Sequence, residues 1–104
     1  MITTEVSDAG RGCPVERVPA ELDVLITGHG WREIGHGVTC NEGRILDFGE
    51  PAAPGVYRIM FDIASYMPDI CFPSITVTVE IREPKERCHL QLVLNNFGYA
   101  VYRR

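Results

Sequence analysis

The sequence predicts an all-β fold: an antiparallel Greek-key β-sandwich of seven to eight strands with one short helix. Apolar and polar residues alternate with a period of two over most of the chain, as they do in strands that bury one face. The strand-like segments are short, and turn-forming residues separate them. The length of 104 residues suits one domain covering residues 1–104, without an internal repeat or a linker.

The predicted strands follow one another along the whole chain. The clearest is the stretch 75–81, where isoleucine and valine side chains share one face while Thr76, Thr78 and Glu80 share the other. Asp62–Met67 is the only segment that favours a helix, and Pro68 would end it after about one or two turns. In chain order the predicted strands are Ile2–Asp8, Glu21–Ile26, Trp31–Thr39, Gly55–Phe61, Ile75–Ile81, His89–Leu94 and Gly98–Tyr102.

The composition excludes several classes of protein. The net charge is −4 and the basic residues are scattered, so no basic surface is predicted that would bind nucleic acid. No apolar run is long enough to cross a membrane. The segment Met1–Glu5 lacks the basic and apolar parts of a signal peptide. We therefore expect a cytoplasmic protein that binds neither nucleic acid nor membranes.

The four cysteines are predicted to be free thiols that pack as small hydrophobic side chains. They form no CxxC pair and have no histidine spacing typical of zinc, so no metal site is expected. Cys13, Trp31 and Cys71 have roughly the spacing of an immunoglobulin disulfide and its tryptophan. That fold would place a tyrosine two residues before the second cysteine, and Asp69 stands there instead.

Three polar residues are candidates for chemistry, because the outward faces of a sandwich remain available once the inward faces fill the core. The leucines of the segment 88–94 point inward, which sends His89 outward. Glu5 faces outward on the first strand, and Arg44 directly follows the predicted turn at 41–43. Taken singly, an outward histidine and a turn-flanking arginine are most often ordinary surface residues. Periodicity alone therefore names no reaction.

Motifs along the chain resemble those of the 5-hydroxyisourate hydrolases, the bacterial relatives of transthyretin. Each motif is weak by itself, but their order and spacing are specific, and the likeness runs from Ile2 to Arg103. The matching segments are Val6–Pro14, Gly30–Ile34, Gly37–Thr39, Asn41–Arg44, Pro54–Asp62, Phe72–Pro73 and the ending His89–Arg103.

The resemblance implies a transthyretin-like fold, a partner state and an activity. It implies a homotetramer, a dimer of dimers that encloses a channel lined by polar residues. It also implies hydrolytic opening of 5-hydroxyisourate without a metal or an organic cofactor. The family's site arginine falls on Arg44 and its second histidine on His89. The tyrosine and arginine of its closing Tyr-Arg-Gly-Ser fall on Tyr102 and Arg103.

The chain departs from the family pattern at this same site. Glu5 replaces the family's first histidine, Arg104 replaces the tail glycine, and the sequence ends before the final serine. Arg87 and Cys88 replace the two residues that usually precede the second histidine. We predict an altered site in which His89, Arg44 and Glu5 are catalytic while Tyr102, Arg103 and Arg104 bind the substrate.

Three functions remain open at this point. The first is acid–base hydrolysis of a cyclic amide or urea bond in 5-hydroxyisourate or a close analogue. The second is a repurposed enzyme that catalyses cyclisation, elimination or isomerisation in small-molecule biosynthesis. The third is a non-catalytic carrier of a small molecule. Because a carboxylate repels anions, Glu5 is expected to favour a substrate that is neutral or cationic near it.

Overall fold

The computed structural model describes residues 1–66 and 72–104, and within them the chain forms nine strands in two packed sheets. Apart from the two-residue β2, the strands are five to nine residues long, as expected of a sandwich. The strands are β1 (Ile2–Asp8), β2 (Cys13–Pro14), β3 (Pro19–Ile26), β4 (Gly30–Val38), β5 (Arg44–Gly49), β6 (Gly55–Asp62), β7 (Ser74–Ile81), β8 (Cys88–Leu94) and β9 (Tyr99–Arg103).

The first sheet is built around β1. β8 runs parallel to β1 over its full length, and β9 pairs antiparallel with β8. β5 pairs antiparallel with the first half of β1, and β2 pairs with its last two residues. The second sheet has the order β4-β3-β6-β7 and is antiparallel throughout. Antiparallel pairs therefore dominate, as predicted, with β1 and β8 as the parallel exception.

The core lies between the two sheets and follows the predicted alternation. Leu90, Leu92 and Leu94 on β8 are buried, and their neighbours on the strand point to the other face. From the second sheet Leu22 and Ile59, which are paired across β3 and β6, are also fully buried. A fully buried side chain of this size contributes roughly 1.5–3 kcal/mol relative to an exposed one. This packing holds the first sheet rigidly and leaves its outer face for polar residues.

The predicted helix is wrong within the described residues. β6 continues through Asp62, which pairs with Ser74 of β7. A turn follows, in which the amide of Tyr66 donates to the carbonyl of Ile63 at 3.0 Å. The first turn of a helix is costly to nucleate, so the chain is more stable when β6 extends to Asp62 and pairs with β7. Met67 and Pro68, which belong to the same prediction, lie outside the described residues.

Two strands have no counterpart in the sequence prediction. β2 has only two residues, which is too short for a periodic signal. β5 does not alternate, because Ile45 and Phe48 are buried while Leu46 and Asp47 between them are exposed. Its pairing with β1 shifts register near Ile2, so the irregular pattern reflects an irregular ladder.

The described cysteines are free thiols, but only Cys88 is buried as a small hydrophobic side chain; Cys13 is half-buried and Cys40 is exposed, so the predicted packing is wrong for Cys40. Cys13, Cys40 and Cys88 form no disulfide. Cys88 is buried at the start of β8, and burial raises the pKa of its thiol above the ordinary value. Cys71 lies outside the described residues. In the part of the chain that the structure covers, no helix is long and apolar enough to cross a membrane.

Candidate functional site

Strand register brings polar side chains together on the outer face of the first sheet. Glu5 on β1 is paired with Arg44 on β5 and with Gln91 on β8, and Gln91 is paired with Tyr102 on β9. Directly paired residues project to the same face of a sheet. Arg44, Glu5, Gln91 and Tyr102 therefore form one row across four strands. Thr3 and His89, which are paired with each other, start the next row.

A glycine-dependent turn places Arg44 at the start of this row. Gly43 has a φ of 75°, a conformation that glycine adopts without strain. A Cβ atom at this position would lie 2.4 Å from the carbonyl oxygen of Val6, so a side chain would push the turn away from β1. The carbonyl of Gly43 instead accepts a hydrogen bond from the amide of Val6 at 2.7 Å. The turn thus anchors Arg44 directly beside Glu5.

Glu5 is the centre of the site. Its Oε2 lies 3.5 Å from Nε of Arg44, and its Oε1 lies 3.4 Å from Nε2 of His89. The side chains of Glu5 and His89 are 17% and 12% exposed, so water only partly screens this contact. Both distances exceed the roughly 2.8 Å of a tight charge-assisted hydrogen bond. The carboxylate therefore keeps acceptor capacity for a further molecule.

Thr3 holds the other side of the His89 ring. The Thr3 hydroxyl lies 2.7 Å from Nδ1 of His89, and the side chain of Thr3 is buried. An ionised Glu5 favours a proton on Nε2, which faces it. In the neutral ring Nδ1 then accepts the hydrogen bond that the Thr3 hydroxyl donates. The sequence alone does not predict this role of Thr3, because the pairing of β1 with β8 is a long-range feature.

The two C-terminal arginines point in different directions. The amide of Arg104 donates to the carbonyl of His89 at 2.9 Å, which extends the β8–β9 ladder and places Arg104 beside the site. Its Nη2 donates to Oε1 of Gln91 at 3.0 Å. Arg103 alternates to the opposite face of β9, and its Nη1 donates to the carbonyl of Glu80 in the second sheet at 2.9 Å. The structure therefore does not bring Arg103 into the site.

A cavity of about 490 Å³ opens at this place, large enough for a small heterocycle. Tyr102 is exposed on the same face of the sheet, outside the cavity wall. The cavity is lined by Glu5, Arg44, Leu46, Arg87, His89 and Arg104. Of the six residues predicted for the site, Glu5, Arg44, His89 and Arg104 line it, whereas Tyr102 and Arg103 do not.

Arg87 is a lining residue that sequence reasoning left out of the site. It lies two residues before His89, and this spacing in an extended segment favours the same outward face. With Arg44, Arg87 and Arg104 against the single carboxylate of Glu5, the cavity lining carries a charge of +2 when His89 is neutral. The expectation that Glu5 favours a neutral or cationic ligand therefore does not fit the cavity as a whole, because the arginines outnumber it.

Two residues of the sequence motifs have structural roles instead. The hydroxyl of Thr39 donates to the carbonyl of Val15 at 2.8 Å and accepts from the amide of Val18 at 2.9 Å. On the second sheet the guanidinium of Arg58 stacks over the ring of Trp31, with its Cζ atom 4.2 Å from the centre of that ring.

Within residues 1–66 and 72–104, no group of three or more histidine, cysteine and acidic side chains is arranged to hold a metal ion.

Residues 2–104 match the sequence pattern of the HIUase/Transthyretin family. A bifunctional uric acid degradation protein of Arabidopsis thaliana is 33% identical over 117 residues, which cover 98% of this chain and 36% of that protein. The chain thus spans about a third of that relative's length.

A shorter relative and a solved structure agree with this match. The 5-hydroxyisourate hydrolase of Salmonella dublin is 31% identical over 109 residues, covering 99% of this chain and 79% of that one. Sea bream transthyretin, solved in complex with thyroxine, superimposes with a TM-score of 0.90 at 24% identity. That superposition covers 99% of this chain and 93% of the transthyretin chain, and it shows that the two share a fold.

Proposed function

Because the chain belongs to the HIUase/transthyretin family, we propose that it is a hydrolase that opens a cyclic amide or urea bond of 5-hydroxyisourate or a close analogue. One observation carries this proposal: Glu5, His89 and Arg44 are far apart in the sequence but line one cavity, where His89 and Arg44 each lie within 3.5 Å of the Glu5 carboxylate. The relatives named as 5-hydroxyisourate hydrolases support the same chemistry.

The proposed reaction divides three tasks among these side chains. A water molecule bound beside Glu5 gives a proton to its carboxylate and attacks the ring carbonyl carbon. Arg44 stabilises the negative charge that develops on the carbonyl oxygen. The C–N bond then breaks as His89 donates its Nε2 proton to the leaving nitrogen, and the proton that Glu5 took from water passes to Nε2, so that both side chains return to their starting states. The products are an amine and a carboxylic acid, so atoms and charges balance without a cofactor.

The decay of freshly prepared 5-hydroxyisourate, followed by its ultraviolet absorbance, tests this function. We expect decay well above the rate in buffer. Arg44→Ala should lower kcat/KM by roughly 10²–10³-fold, the usual cost of removing a group that stabilises an oxyanion. Arg32, exposed on β4 in the other sheet, provides the matched control, and Arg32→Gln should leave the rate unchanged. If 5-hydroxyisourate decays no faster with the protein than in buffer alone, the proposed activity is excluded.

Glu5 itself favours a second candidate, a repurposed acid–base enzyme on the same scaffold. A carboxylate replaces the family's first histidine, and it is held by both Arg44 and His89. Such a pair suits the transfer of a proton between two positions of one ring, as in an isomerisation. If 5-hydroxyisourate is not turned over, a product isomeric with another heterocyclic substrate, formed by the native chain and lost in His89→Ala, would support this candidate.

The proposal includes a homotetramer in the cytoplasm. β9 lies at the end of the first sheet and is paired on one side only among the described strands. Leu46, Tyr99 and Tyr102 on or near this sheet are 42–56% exposed, and such apolar and aromatic area favours association. Light scattering during gel filtration should give four times the chain mass. Fractionation of the source cells tests the location.

A further inference from the structure

We propose that Arg87 and Arg104 form an anion subsite in the cavity, and that it takes a carboxylate carried by a planar heterocycle. This inference rests on the proposed function, which it deepens by naming the class of ligand. Arg87 precedes β8 and Arg104 follows β9, and both line the cavity together with His89, whose backbone carbonyl accepts from the amide of Arg104.

The arginines of the cavity differ in their charged partners. Arg44 is already paired with Glu5, and Glu5 also faces His89. Arg87 and Arg104 have no carboxylate within 4 Å in the part of the chain that the structure describes. Two positive charges that line one cavity repel each other, and a bound anion relieves that repulsion. The charges of Arg87 and Arg104 therefore favour a ligand that carries a negative charge.

The guanidinium of Arg104 is oriented by a neutral partner. Guanidinium groups bind carboxylates through two parallel hydrogen bonds in one plane, a fit that a single ammonium does not provide. Gln91 holds one of these groups in place, because its Oε1 accepts from Nη2 of Arg104 at 3.0 Å. An amide acceptor positions the guanidinium without neutralising it. Gln91 is thus a positioning residue, and the full charge of Arg104 remains available to a ligand.

Hydrolysis of a cyclic amide turns the attacked carbonyl carbon into a carboxylate, so the product of the proposed reaction carries this group even when the substrate does not. A substrate that already bears a carboxylate would present the same chemistry earlier. Because 5-hydroxyisourate has two fused rings, opening one of them leaves the new carboxylate on a molecule that keeps the other ring. Both cases therefore place a planar anion on a small ring within a cavity of about 490 Å³.

A matched pair of probes tests the subsite without requiring turnover. Orotate and uracil share one pyrimidinedione ring and differ by a single carboxylate. We expect calorimetry at physiological ionic strength to show orotate binding about tenfold more tightly than uracil, as one charge-assisted hydrogen-bonded pair allows. Arg87→Gln and Arg104→Gln should each remove most of this preference, whereas Arg32→Gln, which removes an equal charge from the other sheet, should retain it.

The outcomes separate the subsite from the proposed hydrolase. Equal binding of the two probes, no orotate binding at millimolar concentration, or an equal loss in Arg32→Gln would overturn the subsite even if 5-hydroxyisourate is hydrolysed. A preference for orotate that depends on Arg87 and Arg104 supports it even if hydrolysis fails. Where 5-hydroxyisourate is hydrolysed, weaker inhibition by the carboxylate product in Arg87→Gln, with an unchanged KM, assigns the subsite to the product.

Discussion

The hydroxyl of Thr3 lies 2.7 Å from Nδ1 of His89, although the two residues are 86 positions apart in the chain. Parallel pairing of β1 with β8 creates this contact, because it sets Thr3 directly beside His89. The same register sets Glu5 one pleat further along β1, where it faces the other ring nitrogen at 3.4 Å. Both ring nitrogens of His89 therefore have partners from a single strand, which fixes the orientation of the ring.

Thr3→Val tests whether this orientation matters for catalysis. Valine has the same shape but cannot hydrogen bond, so Nδ1 loses its partner and the ring is free to take the other tautomer. A hydrogen bond contributes about 1 kcal/mol, so we expect kcat for the true substrate to fall roughly fivefold. Thr3→Ser keeps the hydroxyl and serves as the control. Equal kcat values for the valine and serine variants would show that the contact is only structural.

Glu5→Gln tests the proposed base. The amide keeps the size of the side chain but cannot accept a proton from water, so kcat should fall by about 10²–10⁴-fold. Glu5→His restores the histidine that the family resemblance implies at this position. We expect this variant to hydrolyse 5-hydroxyisourate at least as fast as the native chain, as measured by absorbance decay. Native activity in Glu5→Gln would exclude Glu5 as the base.

Thr39→Val tests a buried structural contact away from the cavity. The valine would leave the carbonyl of Val15 and the amide of Val18 without their side-chain partner. Thr39 is buried, so the free energy of unfolding should fall by about 3 kcal/mol. Thr39→Ser keeps both hydrogen bonds and should cost only about 1 kcal/mol for the lost methyl group. Urea denaturation measures both values, and similar losses in the two variants would contradict this role.

Glu21→Gln tests a pH effect on the second sheet. A hydrogen bond with Asp23, together with partial burial and the nearby charges of Asp23 and Glu33, raises the pKa of Glu21 from 4.5 to about 7. Between these values the folded chain holds a proton that the unfolded chain has lost, so the free energy of unfolding falls as the pH rises. Glutamine stays neutral and avoids this loss.

The expected gain is small, because the carboxyl group of Glu21 remains close to solvent. At pH 8 we expect Glu21→Gln to be about 0.5 kcal/mol more stable than the native chain, with no difference at pH 4. Urea denaturation at the two pH values measures this difference. Glu16→Gln, at an exposed loop position, is the control for a general effect of net charge. A gain of the same size at both pH values would contradict the coupling to Asp23.

Alternation alone was enough to predict the sandwich and the outward position of His89. Each strand with strict period-two alternation, such as β8, buries the predicted face, because the hydrophobic effect acts on every such strand in the same way. The outward positions of Glu5 and His89, the turn before Arg44 and the family motifs make these three residues candidates. These are local properties, and the order of residues along a strand carries them.

Other features depended on which strands become neighbours. The sequence does not predict β5, because its irregular pairing with β1 breaks the alternation. It predicts a helix from Asp62, where the structure instead has Asp62 paired with β7. The partnership of Thr3 with His89 and the turning of Arg103 away from the cavity both follow from register between strands distant in sequence. Hydrogen bonding between strands sets this register, and a single segment read alone does not contain it.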